Sequence, residues 1–170
     1  MRQTPRHLPL IRIVASNAIA REAVVAAGVR EGWAIQANAE TLYDDIHTVA
    51  SQIAKTLSAG APGLHIFGGE PTVVLPEHPG NGGRNQALAV LIAREIAGLP
   101  GLQVLVAGTD GTDGPTDAAG AIVNGSTWDV SGQDALESAD TGPWLEARGA
   151  LLRTGPTGTN VMDLVIALKE

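Results

Sequence analysis

The sequence predicts an α/β domain of three layers, with helices on both faces of a mostly parallel, mixed sheet. Three observations lead there. Short apolar runs such as Leu64–Phe67 and Leu102–Ala107 alternate with segments of helical periodicity. Polar, glycine-rich loops stand between them. The chain has 170 residues, 44% of them hydrophobic, with no fixed-period repeat and no linker, so one domain over 1–170 is expected.

The elements follow in order. Leu10–Ala15 is a short apolar run and reads as a buried strand. Ser16 or Asn17 can cap a helix over about 17–31, which Gly32 ends. Trp33–Ala37 is a second strand candidate. Leu42, Ile46, Val49, Ile53 and Leu57 recur at helical spacing, so 40–58 is an amphipathic helix stopped by Gly60 and Pro62. Leu64–Phe67 is a strand, and Thr72–Leu75 another. Ala87 to Ala97 is apolar almost all round, the mark of a buried helix, and Leu102–Ala107 is the best central strand. Ala118–Val123 is a helix or a strand. Residues 133–148 hold one or two short helices, and Val161–Leu168 is the last strand.

Composition removes several functions. The charge is -7, which argues against neutralising nucleic-acid phosphates. The absence of cysteine excludes disulfides, thiolate metal sites and a Cys nucleophile, and fits a cytoplasmic location. Ala87 to Leu99, the longest apolar stretch, is broken by Arg94 and Glu95, so no membrane span is expected. No G-x-S-x-G elbow, Walker A loop or GxGxxG fingerprint occurs, and the four histidines show no ligand spacing. Charge is uneven. Residues 56–147 carry eleven acids but only two bases, Arg84 and Arg94.

Four polar loops are expected to share one rim of the sheet: Ser16-Asn17, Gly68–Glu70, Gly108–Asp117 and Thr154–Asn160. Gly80–Gln86 leads into a helix N-terminus, whose free N–H groups, together with Arg84, suit a phosphate or carboxylate. A plain flexible turn is the alternative. Asp110, Asp113 and Asp117 put three carboxylates in one loop. They can serve a hard cation or act as turn caps. Thr157 and Asn160 offer a hydroxyl and an amide to a small polar ligand, or simply form a turn.

Taken together these loops resemble the C-terminal, MOFRL-type part of the glycerate 2-kinase family, whose members are often labelled hydroxypyruvate reductase. The residues that carry the resemblance are Gly68-Gly69-Glu70, Gly82–Gln86, the run Gly108 to Ile122, and Thr154–Val161 with Asp163. Ser16-Asn17 matches more weakly. Pro71 and Ala87 depart from the family's Thr and Glu, and 129–148 matches poorly. Family enzymes are much longer and carry an N-terminal domain with a functional lysine. Here Lys55 and Lys169 stand in no such context, so that domain is expected to be absent.

The resemblance implies transfer of the γ-phosphoryl of ATP to D-glycerate with Mg2+. Arg84 and Asp110 are implied as catalytic. Asp113 and Asp117, with Asp110, are implied to hold or orient magnesium. Ser16, Asn17, Glu70, Gly83, Asn85, Gln86, Thr157 and Asn160 are implied to line the substrate and phosphate pocket. The missing half of the site would come from a separate N-terminal-domain chain or a homodimer. Two other readings stand beside this one. The first is a non-catalytic ligand-binding or interaction domain. The second is a hydroxypyruvate reductase, which the missing dinucleotide fingerprint disfavours.

Overall fold

The computed structural model describes residues 12–170. The chain runs through α1 (Asn17–Arg30), β1 (Ile35–Leu42), α2 (Ile46–Ala59), β2 (Gly63–Gly69), α3 (Arg84–Glu95), β3 (Leu102–Gly108) and β4 (Gly120–Asn124). It continues through α4 (Ser131–Glu137), α5 (Thr141–Glu146), β5 (Leu151–Leu152) and β6 (Asp163–Lys169). The strands form one mixed sheet in the order β1-β2-β6-β3-β4-β5.

The α/β class with a mixed sheet is as expected, but the pairing is less parallel than expected. Only β1 and β2 pair parallel; every other neighbouring pair is antiparallel. The cause lies in the connections. Loop 109–119 joins β3 to β4, and loop 153–162 joins β5 to β6. Each returns the chain from the rim it left, which antiparallel strands allow and parallel strands do not. The last strand then inserts between β2 and β3.

Boundaries differ where a side chain outbids the apolar period. Strand β1 continues to Leu42, and α2 starts only at Ile46, because the Asp45 carboxylate accepts from His47 N and caps the helix there. Of the expected Thr72–Leu75 strand, only Thr72 pairs, in an isolated bridge with Asp45. Residues 12–15 form no strand, and Ile13 and Val14 are 73% and 84% exposed. Strand β2 is already paired on both sides, by β1 and β6. Residues 10 and 11 of that expected strand lie outside the described residues. The 118–123 segment, which the sequence leaves open between helix and strand, forms strand β4, and the two-residue β5 has no counterpart among the expected elements.

Helix α1 covers the sheet on one side, where Gly28 meets Leu64. A Cβ at Gly68 would run into the Asn17 amide, so glycine is what lets α1 approach. The other helices pack on the opposite face. Leu88, Ala89, Val90, Leu91, Ile92 and Ala93 of α3 are all fully buried. Each large apolar side chain there contributes about 1.5–3 kcal/mol. Lys169 at the end of β6 ties down α2: its ammonium donates to the carbonyls of Leu57 (2.8 Å), Ser58 (3.3 Å) and Gly60 (2.7 Å).

Register places the site. Asp163, the first residue of β6, sits between Gly69 at the end of β2 and Gly108 at the end of β3. The loops after β2 and β3 and the loop before β6 therefore meet at one rim.

Candidate functional site

At that rim lies a cavity of about 330 Å3. Arg84, the first residue of α3, reaches into it between two acids. Its Nη1 donates to Glu70 at 3.2 Å and its Nη2 to Asp163 at 3.2 Å. Its Nε lies 2.8 Å from the other Asp163 oxygen. That last contact is an ion pair whose N–H is not aimed at the oxygen, so both buried atoms keep unused hydrogen-bonding capacity. The two acids differ. Asp163 is 4% exposed and Glu70 56%. Asp163 is the fixed partner and Glu70 the exchangeable one. Burial opposes the charge on Arg84 and is the largest single effect, but the charges and hydrogen bonds of Asp163 and Glu70 together outweigh it and hold the guanidinium pKa above its ordinary value. Burial pushes the Asp163 carboxyl up, against the pull of Arg84.

The start of β6 is held firmly. Met162 has φ of 69°, a left-handed conformation that costs a non-glycine residue energy. Thr109 pins its carbonyl with the backbone N–H (3.0 Å) and the hydroxyl (2.7 Å). Asn17 donates to the carbonyls of Val161 (2.9 Å) and Asp163 (3.1 Å), while Ser16 caps α1 by accepting from Ile19 N at 3.2 Å. Ser16 and Asn17 thus support the rim without lining the cavity.

The N-terminus of α3 is not the open anion seat that the sequence suggested. Its N-cap, Gly83, has no side chain to offer. Asp113 supplies the cap from another loop: Oδ1 accepts from Asn85 N at 3.0 Å and Oδ2 from Gln86 N at 2.8 Å. A Cβ at Gly83 would collide with that carboxylate. Burial raises Asp113 to about 6, although the two backbone N–H groups pull it down. The Gln86 side chain is fully buried and donates to Thr116 at 2.8 Å. Asn85 is 1% exposed, and its Oδ1 has no partner.

The three aspartates separate. Asp110 faces the cavity, with Oδ1 accepting from Thr112 N (3.0 Å) and Oδ2 from the Asn160 amide (3.2 Å). Asp113 is the helix cap. Asp117 leaves the group: both its oxygens accept from Arg153 Nε, at 3.1 and 3.2 Å, and it does not line the cavity. No cluster of three or more His, Cys, Asp or Glu able to hold a metal occurs among the described residues. Thr157 braces the floor, donating its hydroxyl to Thr109 O at 2.6 Å and its N–H to Asp110 O at 3.1 Å.

The cavity therefore brings together Glu70, Arg84, Asn85, Asp110, Asn160 and Asp163. In the sequence Asp163 stands only as part of a motif, with no role of its own. The signal was available: it is a lone acid at the mouth of an apolar strand. Thr109 had no signal beyond its place in the loop. Among the described residues no helix is long and apolar enough to cross a membrane.

Residues 63–163 match the model of the MOFRL family. The chain is 53% identical over 113 residues to D-glycerate 2-kinase of Thermotoga maritima, covering 63% of this chain and 27% of that protein. It is 36% identical over 170 residues to glycerate 2-kinase of Pyrococcus horikoshii, covering 92% of this chain and 38% of that one. The crystal structure of glycerate kinase from Thermotoga maritima superposes with a TM-score of 0.89 at 36% identity, covering 98% of this chain and 44% of that chain. The chain thus spans less than half the length of each of these relatives.

Proposed function

The chain belongs to the MOFRL family, and from that premise we propose that it supplies one half of the active site of a D-glycerate 2-kinase. The observation that carries the reading is the Arg84 guanidinium, fixed from behind by buried Asp163 and facing an exchangeable Glu70. A substrate carboxylate or phosphate would take the place of Glu70. The rest of the cleft would come from a further domain, on the same polypeptide or a separate chain, or from a second copy.

In the reaction, the 2-hydroxyl oxygen of D-glycerate forms a bond to the γ-phosphorus of ATP as the bond to the ADP oxygen breaks, and the hydroxyl proton is released. Such transfer rests on positioning and charge neutralisation. Arg84 would bind an anionic oxygen of substrate or phosphate through its planar fork. Asp163 would hold that fork in place. Asn160 would keep Asp110 aimed at the cavity, and Thr157 would brace the loop beneath it.

The donor set fits magnesium. The cavity carries four carboxylates (Glu70, Asp110, Asp113 and Asp163) against one guanidinium, a formal charge of -3. Mg2+ is commonly held by one or two carboxylates plus substrate phosphates. Asp110 would be its protein ligand here, since Asp113 is engaged by α3 and Asp117 by Arg153. When bound, the ion would neutralise charge on the phosphates.

The test is a chimera in which this chain replaces the matching segment of the Thermotoga maritima enzyme. We expect ATP-dependent phosphorylation of D-glycerate, and at least a hundredfold lower kcat/KM with Arg84→Ala, on the order of 3 kcal/mol. A chimera that folds but has no kinase activity contradicts the reading.

A further inference from the structure

A second cavity, of about 200 Å3, lies beside the Arg84 site. Val73, Leu75, Gly82 and Gly83 line both cavities, so a single ligand can extend from one into the other. The walls of the second are apolar, with Ile46 from α2, Ala87 from α3 and Leu136 from α4. Its volume is below the roughly 300–1,000 Å3 of sites that hold a whole drug-sized ligand. It suits one ring system at the end of a larger molecule.

The rim states the polarity of that ring. Asp45 uses Oδ1 to accept from His47 N at 2.9 Å, and Glu137 uses Oε1 to accept from the Gln133 amide at 2.8 Å. Each carboxylate keeps a second oxygen for which no partner is seen among the described residues. Arg94 is turned to Gln133 (3.4 Å) and Glu95 (3.3 Å). The rim therefore offers two carboxylates as acceptors, beside His47 and an Arg94 guanidinium already engaged by Gln133 and Glu95. A neutral ring with N–H donors is the complement.

The roof is unfinished. Residues 73–79 take part in no backbone hydrogen bond among the described residues. The strap is pinned at Thr72, through Asp44 and Ile46, and at Gly80, through Ser138. Between these points Val74 is 88% exposed and Leu75 57%. A ring seated below would cover apolar surface that water now contacts.

We propose that this cavity is the subsite for a neutral amino-bearing heteroaromatic ring, the adenine end of a nucleotide whose phosphates lie over Arg84. The proposal rests on the kinase reading for what lies over Arg84. The cavity itself is independent of Arg84, which does not line it.

Calorimetric titration of the full chain separates the two. The probes are adenosine, which has no phosphate, and inorganic triphosphate with Mg2+, which has no ring. Ala87→Phe fills the cavity and should weaken adenosine about tenfold or more, with Mg-triphosphate changed less than about twofold. Arg84→Ala should do the reverse. Because Ala87→Phe can disturb the core, Val74→Asp serves as the second variant; its site is exposed, and about threefold weaker adenosine binding is expected. Adenosine binding that ignores both variants overturns the proposal. So does the absence of adenosine binding while Mg-triphosphate still binds through Arg84, a result that leaves the kinase reading standing. If neither probe binds, both readings fall.

Discussion

The carboxylate of Asp113 closes the N-terminus of α3 by taking the backbone N–H of Asn85 at 3.0 Å and of Gln86 at 2.8 Å. The helix opens on Gly83, which has no side chain for the purpose, so a loop some thirty residues later provides it. The same contact locks the loop that carries Asp110 onto the helix that carries Arg84. The cap is thus a strut of the site as well as of the fold.

Removing that strut should be costly. Asp113→Ala leaves two buried N–H groups without a partner, each worth about 1–3 kcal/mol. We expect a loss of about 2–4 kcal/mol and a fall in Tm of about 5–15 °C. Gly83→Ala should lower Tm as well, because its Cβ displaces the carboxylate. Thermal denaturation followed by circular dichroism checks both. A Tm unchanged in Asp113→Ala contradicts the capping role.

Asp113 also sets a pH dependence. Burial raises its folded-state pKa from 3.8 to about 6. Between those values the folded chain holds a proton that the unfolded chain has lost. Its contribution is therefore most favourable below about 3.8 and is lost as pH rises towards about 6, on the order of 3 kcal/mol in all. Asp113→Asn has no such proton. The difference in urea-unfolding free energy, wild type minus Asp113→Asn, should fall between about pH 4 and pH 6.5. A difference that stays constant over that range rules the effect out.

Lys169 should behave as a helix cap. Its ammonium closes the last carbonyls of α2 and opposes the negative end of the helix. Lys169→Met keeps the apolar stem and removes the charge. The urea midpoint should drop by an amount equivalent to about 1–2 kcal/mol, with the m-value unchanged. An unchanged midpoint would show that the three carbonyls are equally well served by water.

Much of this was readable in the chain, and what was not has physical causes. Helix α3 was legible because its apolar residues leave no polar face. The shared rim was legible because Gly and Asp cluster after apolar runs. The antiparallel insertion of β6 was not, since period and composition do not encode which neighbours a strand takes. Thr72–Leu75 has strand composition, but its Val74 faces solvent and only Thr72 finds a partner. Asp117 shares its loop with Asp110 and Asp113, and its separation was decided by Arg153, a residue distant in sequence. The role of Asp113 was hidden for the same reason.

Glu70 competes for Arg84. The pair is half exposed, and such pairs are worth about 0.2–1 kcal/mol. Glu70→Gln should therefore tighten phosphate binding by about 1.5–5-fold at low salt, and less at high salt. Titration with inorganic phosphate at two ionic strengths reads this directly. Weaker binding in the variant would mean that Glu70 contacts the ligand rather than competing with it.

The most direct measurement is the melting temperature of this chain alone, with Mg-ATP, D-glycerate or inorganic phosphate, beside Arg84→Ala. A ligand that binds the folded state at about one hundred times its Kd adds about 2.7 kcal/mol. If Arg84, held by Asp163, is a preformed anion site, Tm rises by several degrees with at least one of these ligands, and the rise vanishes in Arg84→Ala. An unchanged Tm with all three, or an equal rise in the variant, would contradict the account.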